Sequence, residues 1–285
     1  MRHLNEQNRT AWNAATRRHN LHKGDQAAFL RSGGSTLFPE EIELLGDVRG
    51  QTLLHLQCNA GQDTLSIASQ LGAIVTGVDI SDEAIAFAQQ LSHDSGIPGE
   101  FIRADVYDWL KANTRQFDVV FSSYGAVCWL SDLAAWGQGI AAALKPGGRF
   151  VLVEFHPMLG ILDGALTGDW SWASDYMGGK HYAYEHGIGD YVAMSGSGLV
   201  PDGQADTDSA NWLNPHPSHE FAWGLADVLT ALLDAGLTLT AVREYPYSNG
   251  FKPFPDHMIE LPGRRMAFGE GMPAIPLMYA VRAEK

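Results

Sequence analysis

Apolar positions change their spacing near residue 51. Before it, "NEQNRTAWNAATRRHN" is polar with few apolar anchors, and "FPEEIELLG" has proline at its start and glycine at its end. Two helices are expected there, neither with a core of its own. From Gln51, short apolar runs alternate with amphipathic segments for about a hundred residues, the pattern of βαβ units on a mostly parallel sheet.

The runs predict strands at 53–56 and 74–78 with a helix at 63–71 between them. A second helix should run from Ser81 to about His93. Ser81 suits an N-cap, Asp82 and Glu83 suit the dipole, and Ala84, Phe87, Ala88 and Leu91 recur at i, i+3, i+4 and i+7. "FIRA" and "FDVVF" read as strands, followed by a helix after Ser131 that carries Leu133, Trp136 and Ile140. "LKPGG" reads as a helix end, a turn and a restart of the sheet into "RFVLVEF".

After His156 no period is sustained. Residues 157–217, rich in glycine, tryptophan and tyrosine, read as an insertion with some antiparallel strands. Ser218 is expected to cap a helix whose Phe221, Leu225, Val228, Leu229 and Leu232 form one stripe, ended by Gly236. "TLTAVREY" and "PLMYAVRA" would then close a seven-stranded sheet. The chain divides into an N-terminal helical cap (1–50), a core (51–156), a substrate-side insertion (157–217), and a C-terminal helix with closing strands (218–285).

At 285 residues with 45% hydrophobic and 18% charged residues, composition is that of a globular protein. The net charge of −14 disfavours nucleic acid, and the densest basic cluster, Arg17, Arg18, His19, His22 and Lys23, is short and reads as a surface helix. The start lacks a signal-peptide pattern, and no run of about 18 apolar residues could cross a bilayer, so a cytoplasmic location without membrane partners is expected. Cys58 and Cys128 are too few for a disulfide framework and read as small buried hydrophobes. No metal is expected: "HPSHE", with His216, His219 and Glu220, has proline-broken spacing and no companion motif, so these read as loop and cap residues. His181 and His186 stand amid Tyr182 and Tyr184, where a pocket wall and a surface loop fit equally.

The stretch "LLHLQCNAGQDT" runs from a strand through a loop to a helix start, the geometry that turns backbone N–H groups toward a ligand. It lacks the spaced glycines of a dehydrogenase fingerprint, although Asp79 ends the second strand 18 residues after Gly61. Taken alone, Asp79 reads equally as an acid flanking a helix, and Asp105 as a cap for the turn before Trp109.

Four pieces in order carry a resemblance: "LLHLQCNAG", "VTGVDIS", "IRADVYD" and "LKPGGRFVLVEF". Together they are similar to the loops and turns of class I S-adenosylmethionine (SAM)-dependent methyltransferases. The family implies a Rossmann-like doubly wound seven-stranded mostly parallel sheet, with the N-terminal cap and an insertion after the fifth strand. It implies that Gln57, Cys58, Asn59 and Gly61 line the methionine part of SAM, and that Asp79, with Ile80, holds the ribose. Asp105 would accept the adenine amino group, flanked by Ala104 and Val106, and Ser122 and Ser123 would lie near the sulfonium. Where the family usually has an acid and glycines, this chain has His55, Gln57 and Asn59; Asn59 can substitute for glycine because Asn tolerates positive φ.

Methyl transfer to an O, N or C atom of a small molecule is the expected function. The acceptor pocket would draw on Trp12, Tyr124, Trp170, Trp172 and Tyr176, with His156 as the best candidate for a base, although a histidine at a strand end is more often structural. "SSYG" is not the Asn-Pro-Pro-Tyr pattern of amino-methylating DNA enzymes, and neither cysteine adjoins a proline as in cytosine-methylating ones. A catalytically silent SAM-binding module and an NAD-linked oxidoreductase on the same sheet are the rival readings. The sequence does not set the oligomeric state.

Overall fold

The computed structural model describes residues 2–169, 173–200 and 212–285; Trp170 and Trp172 lie outside the described residues. The N-terminal segment forms α1 (Arg2–Asn20), α2 (Gln26–Arg31) and α3 (Pro39–Leu45). The alternating region follows as β1 (Thr52–Leu56), α4 (Gln62–Ser66, continued by a π-helical turn at Ile67–Leu71), β2 (Ile74–Asp79), α5 (Asp82–Ser95) and β3 (Glu100–Arg103). It continues as α6 (Val106–Ala112), β4 (Phe117–Ser123), α7 (Leu133–Ala143) and β5 (Leu144–Phe155). Then come α8 (Met158–Thr167), β6 (Lys180–Tyr184), α9 (Tyr191–Ser195), β7 (Ser218–Ala222), α10 (Leu225–Asp234) and β8 (Thr238–Tyr245). The chain ends with β9 (Tyr247–Asn249), β10 (Met258–Leu261), β11 (Arg265–Phe268) and β12 (Met278–Glu284).

Seven strands make one sheet in the order β3-β2-β1-β4-β5-β12-β8, with β12 antiparallel to both of its neighbours. The doubly wound, mostly parallel sheet is as expected. Alternation explains why the strands are almost wholly apolar: Leu53, Val119, Phe121 and Val151 pack on one face with Leu45 and Ile67. Leu54, Val120, Phe150 and Leu152 pack on the other, with Trp136, Ile140 and Leu232. The strand order reverses between β1 and β4, where a ligand crevice opens beyond the strands' carboxyl ends.

"LKPGG" is a bulge held inside β5. Leu144 pairs with Phe117 and Arg149 with Val119, so the intervening residues loop out. Gly148 has no room for a side chain, since a Cβ would sit 2.9 Å from the Lys145 carbonyl and 3.0 Å from that of Asp118. Lys145 Nζ donates to Asp118 at 2.8 Å and Thr52 Oγ1 does so at 2.7 Å, tying the bulge to the start of β1.

The expected helix at Ser218 begins later. Residues 218–222 form β7, antiparallel to β6. Ser218 caps nothing, and Phe221 belongs to the strand. Here period two wins over 3.6, with Ser218, Glu220 and Ala222 on one face and His219 and Phe221 on the other. The helix is α10, starting at Leu225, with the Gly224 N–H donating to Asp227 Oδ2 at 2.9 Å. A three-stranded sheet, β10-β11-β9, also forms where only a proline-rich connection was expected.

α1 is fastened by polar contacts, which is why its sequence shows few apolar anchors. Asn8 exchanges two hydrogen bonds with the His219 backbone, at 2.8 and 2.7 Å. Buried Asp190 accepts from Arg18 at 2.7 Å and bonds His22 at 2.8 Å.

α7 and α10 meet at Gly137, where a Cβ would lie 2.6 Å from the Ala231 carbonyl oxygen. Gly137→Ala gains about 1 kcal/mol of helix propensity but overpacks this contact at about 1–3 kcal/mol. Net destabilisation is expected, read as a lower midpoint in urea at unchanged slope; a higher midpoint would show that the helices separate freely.

Candidate active site

A cavity of about 750 Å³ opens at the carboxyl ends of the central strands, a size typical of small-molecule sites. Its floor includes His55, Gln57, Asp79 and Ser123, and its far wall includes Tyr182, Tyr184 and Glu220 of the β6–β7 pair.

The loop after β1 shows why one glycine suffices. Gln57, Asn59 and Gly61 all adopt left-handed backbone, with φ of 55°, 48° and 78°. For the two non-glycine residues this costs about 1–2 kcal/mol each, and local bonds offset it. Gln57 Nε2 donates to the Ala126 carbonyl at 2.8 Å, the Asn59 N–H donates to Asp79 Oδ2 at 2.8 Å, and Asn59 Oδ1 accepts the Ala60 N–H at 2.7 Å. Gln57, Cys58 and Asn59 line the cavity. Gly61 does not; a Cβ there would lie 2.7 Å from Ala88 Cβ and 2.8 Å from the Phe101 ring, so its role is close packing of the loop on α5 and β3. Burial raises both cysteine thiols well above their ordinary pKa, which makes them inert.

Asp79 and Ile80 line the cavity beside the loop. The carboxylate is held from both sides, with Oδ1 accepting the Ser81 N–H at 2.8 Å and Oδ2 that of Asn59. Burial raises its pKa, an effect the backbone donors oppose. Ala104, Asp105 and Val106 line the same side. Asp105 has other partners: Oδ1 caps α6 through the Tyr107 and Asp108 N–H groups, at 2.8 and 3.3 Å, and Oδ2 takes Asn5 Nδ2 at 2.6 Å. It therefore couples α1 to this loop as well as facing the cavity.

The two serines divide. Ser123 lines the cavity, while Ser122 is fully buried on the opposite face of β4 with its Oγ unpartnered. Ser123 Oγ lies 3.4 Å from Nε2 of His55, whose Nδ1 bonds Thr64 Oγ1 at 2.8 Å; burial lowers the His55 pKa to about 4, keeping the ring neutral. Trp12 and Tyr124 line the cavity, Tyr124 with φ of 27°. Strained backbone at Gln57, Asn59 and Tyr124 thus collects around one space.

His156 borders the cavity, and each of its ring nitrogens has a polar neighbour. Nδ1 accepts the Met158 N–H at 3.2 Å, and Nε2 faces the Glu244 carboxylate at 3.0 Å, out of line for a full hydrogen bond. Burial lowers its pKa while Glu244 opposes the shift. These contacts tie the end of β5 to the start of α8 and to β8. Tyr176 lies behind His156, ring centroids 6.3 Å apart, and is not among the cavity-lining residues.

Three further groups on the cavity wall were not among the expected site residues. Lys23, read as part of a surface cluster, is half-buried on the cavity wall just past α1, and desolvation lowers its pKa to about 8 while Asp63 opposes the shift. Glu154 accepts the N–H groups of Gly125, Ala126, Val127 and Phe155, holding the loop after β4. Glu220 faces the cavity from β7, and burial raises its pKa to about 7. Among the described residues no group of His, Cys, Asp and Glu is placed to hold a metal.

A family model described as a methyltransferase domain matches residues 53–148. An uncharacterized methyltransferase of Synechocystis sp. is 30% identical over 155 residues, 51% of this chain and 70% of that protein. A ubiquinone biosynthesis O-methyltransferase of Paramagnetospirillum magneticum is 32% identical over 124 residues, and there the match spans 44% of this chain and about half, 48%, of the relative. A solved S-adenosylmethionine-dependent methyltransferase from Mesorhizobium loti superposes with a TM-score of 0.54 at 22% identity, covering 89% of this chain and 99% of that one.

Gly61→Ala should cost about 2–4 kcal/mol from left-handed strain plus overpacking, whereas Asn59→Gly should change stability by under about 1 kcal/mol. Chemical denaturation of the two variants distinguishes a packing glycine from a ligand-contact glycine. His55 adds a pH dependence. The native state resists protonation down to about pH 4 while the unfolded chain takes the proton near the ordinary histidine value of 6.5, so stability is full above that value and falls with acid through this window. The loss should reach about 3 kcal/mol and be missing in His55→Gln; equal acid sensitivity in both proteins would assign it to other groups.

Proposed function

The chain belongs to the class I S-adenosylmethionine-dependent methyltransferases, and on that footing we propose that it methylates a small molecule bound in the same cavity as the cofactor. The observation that carries this reading is the continuity of the cavity from Asp79 and Asp105 to the aromatic and acidic wall at Tyr182, Tyr184 and Glu220.

The donor set suits SAM. An ionised carboxylate only accepts hydrogen bonds, and a ribose diol brings two donors to Asp79. Ile80, Ala104 and Val106 offer apolar surface to a flat base. At the other end the Gln57–Asn59 loop and the Lys23 ammonium suit the polar end of methionine, where a cation would meet the carboxylate; no hydrogen bond to a described residue engages that ammonium. SAM supplies an already activated methyl on a sulfonium, so the protein's part is alignment and the exclusion of water.

The N-terminal segment and the β6–β7 pair roof this space, with Trp12 from one and Tyr182 and Tyr184 from the other. We assign them to acceptor enclosure, in line with the division of the chain into cap, core, insertion and closing strands. The net charge of −14 supports a small acceptor over a phosphate backbone. Nothing favours the silent-module or oxidoreductase readings.

Asp79→Ala removes two charge-assisted bonds, each worth about 1.5–3 kcal/mol, together with the anchor of Asn59. SAM affinity should fall about tenfold or more in titration calorimetry, while NAD should bind neither protein. Unchanged SAM affinity would move the ribose contact elsewhere, and NAD binding without SAM binding would overturn the reading.

A further inference from the structure

The acceptor end of the cavity has an electrostatic character that methyl transfer alone does not require. Ser218, Glu220 and Ala222 on β7 share a face with Tyr182 and Tyr184 of β6, because Tyr182 pairs directly with Glu220 and Tyr184 with Ser218. That face lines the cavity. Glu220 is half-buried there, and no described residue gives its carboxylate a hydrogen bond or an ion pair. A partly desolvated carboxylate without a partner is costly, and a cavity that lacks one is completed by a ligand of opposite charge.

The groups around it do not supply the missing cation. Tyr182 donates its hydroxyl to Asp175 at 2.9 Å, and burial raises the pKa of the Tyr184 phenol, keeping it neutral. From the turn after β4 comes the Cys128 thiol, and near it lies Glu154, already satisfied by four backbone N–H groups. Asp163 of α8 adds a further acid beside Tyr184. Lys180 on the same strand is turned to Asp175 at 2.6 Å. The Lys and Arg side chains on the cavity wall, Lys23 and Arg264, stand with Asp63 and with Phe38 and Thr36 instead, and His186 just past β6 bonds the Asn214 carbonyl through Nδ1 at 3.2 Å. A carboxylate or phosphate on the acceptor would meet the Glu220 carboxylate and two phenols here, with no Lys or Arg side chain of β6 or β7 lining the cavity to pair it. A protonated nitrogen would meet an unpaired carboxylate with two tyrosines on the same face, a setting that favours cations.

We infer, on the reading that this cavity is a methyl-transfer site, that Glu220 selects an amine as the acceptor and removes its proton. The ammonium form pairs with the carboxylate on binding. One N–H proton passes to Glu220, the freed lone pair forms the N–C bond, and the C–S bond breaks with its electron pair remaining on sulfur. The products are an N-methylammonium and S-adenosylhomocysteine, and the proton on Glu220 leaves to water. Burial brings the carboxyl to about 7, which suits a general base at neutral pH.

Three ligands of one shape serve as probes: 2-phenylethylamine, 2-phenylethanol and 3-phenylpropionate, each titrated into the full-length protein saturated with S-adenosylhomocysteine. The amine should bind at least about tenfold tighter than the other two, and Glu220→Gln should erase that preference while S-adenosylhomocysteine affinity and thermal stability confirm a folded variant. Transfer of labelled methyl to the amine should fall about a hundredfold or more in Glu220→Gln, with loss of the rise in rate through pH 7 seen in the parent. A bound alcohol or carboxylate matching the amine, no preference among the three, or a preference that survives in Glu220→Gln would overturn the assignment. Failure of S-adenosylhomocysteine to bind at all would remove the methyl-transfer reading itself, whereas its binding without amine preference removes only the role of Glu220.

Discussion

The hydrogen bond from the Asn59 N–H to Asp79 Oδ2 joins the two turns on which the cavity is built. Asn59 lies in the loop leaving β1 and Asp79 at the end of β2, so the bond fixes the height of that loop above the sheet. It also helps hold left-handed backbone at a residue that is not glycine. From this point the geometry propagates outward. Gln57 reaches across to the Ala126 carbonyl, and Glu154 gathers the N–H groups on that same loop. The carboxyl ends of β1, β2, β4 and β5 are thus linked by bonds to backbone atoms, which hold positions more firmly than contacts between flexible side chains.

Charge is then distributed unevenly along one cavity. Lys23 stands at the end next to the β1 loop and Glu220 at the other, and burial pushes the pKa of each toward neutrality. Each group costs least when a ligand of opposite charge is present, so the free protein carries electrostatic strain that binding relieves. A methionine carboxylate at one end and a protonated amine at the other would use the same principle twice.

The central sheet was readable because its signals are local. Strands β1 to β5 are short apolar runs separated by amphipathic helices, and Ser81 caps α5 through the Ala84 N–H as its position predicts. The loop motif was readable in part. Positive φ at Asn59 follows from asparagine's own tolerance, but nothing local marks Gln57 as left-handed, and nothing local shows that Gly61 serves packing against Ala88 and Phe101. β7 was misread because Phe221 happens to fall in register with the stripe of α10, and only pairing with β6 shows that period two governs there.

The amino-acid order by itself determined the doubly wound sheet, the place of its crevice and the acid at the end of β2, because periodicity, caps and turns act over a few residues. Which side chains face the crevice was decided by the tertiary structure. His156 adjoins it with Met158 and Glu244 beside its two nitrogens, brought there by α8 and β8. Ser122 and Ser123 part across the sheet, since neighbouring strand residues point to opposite faces. Lys23 and Glu220, nearly two hundred positions apart, meet one space because burial and charge depend on what the rest of the chain packs around a group.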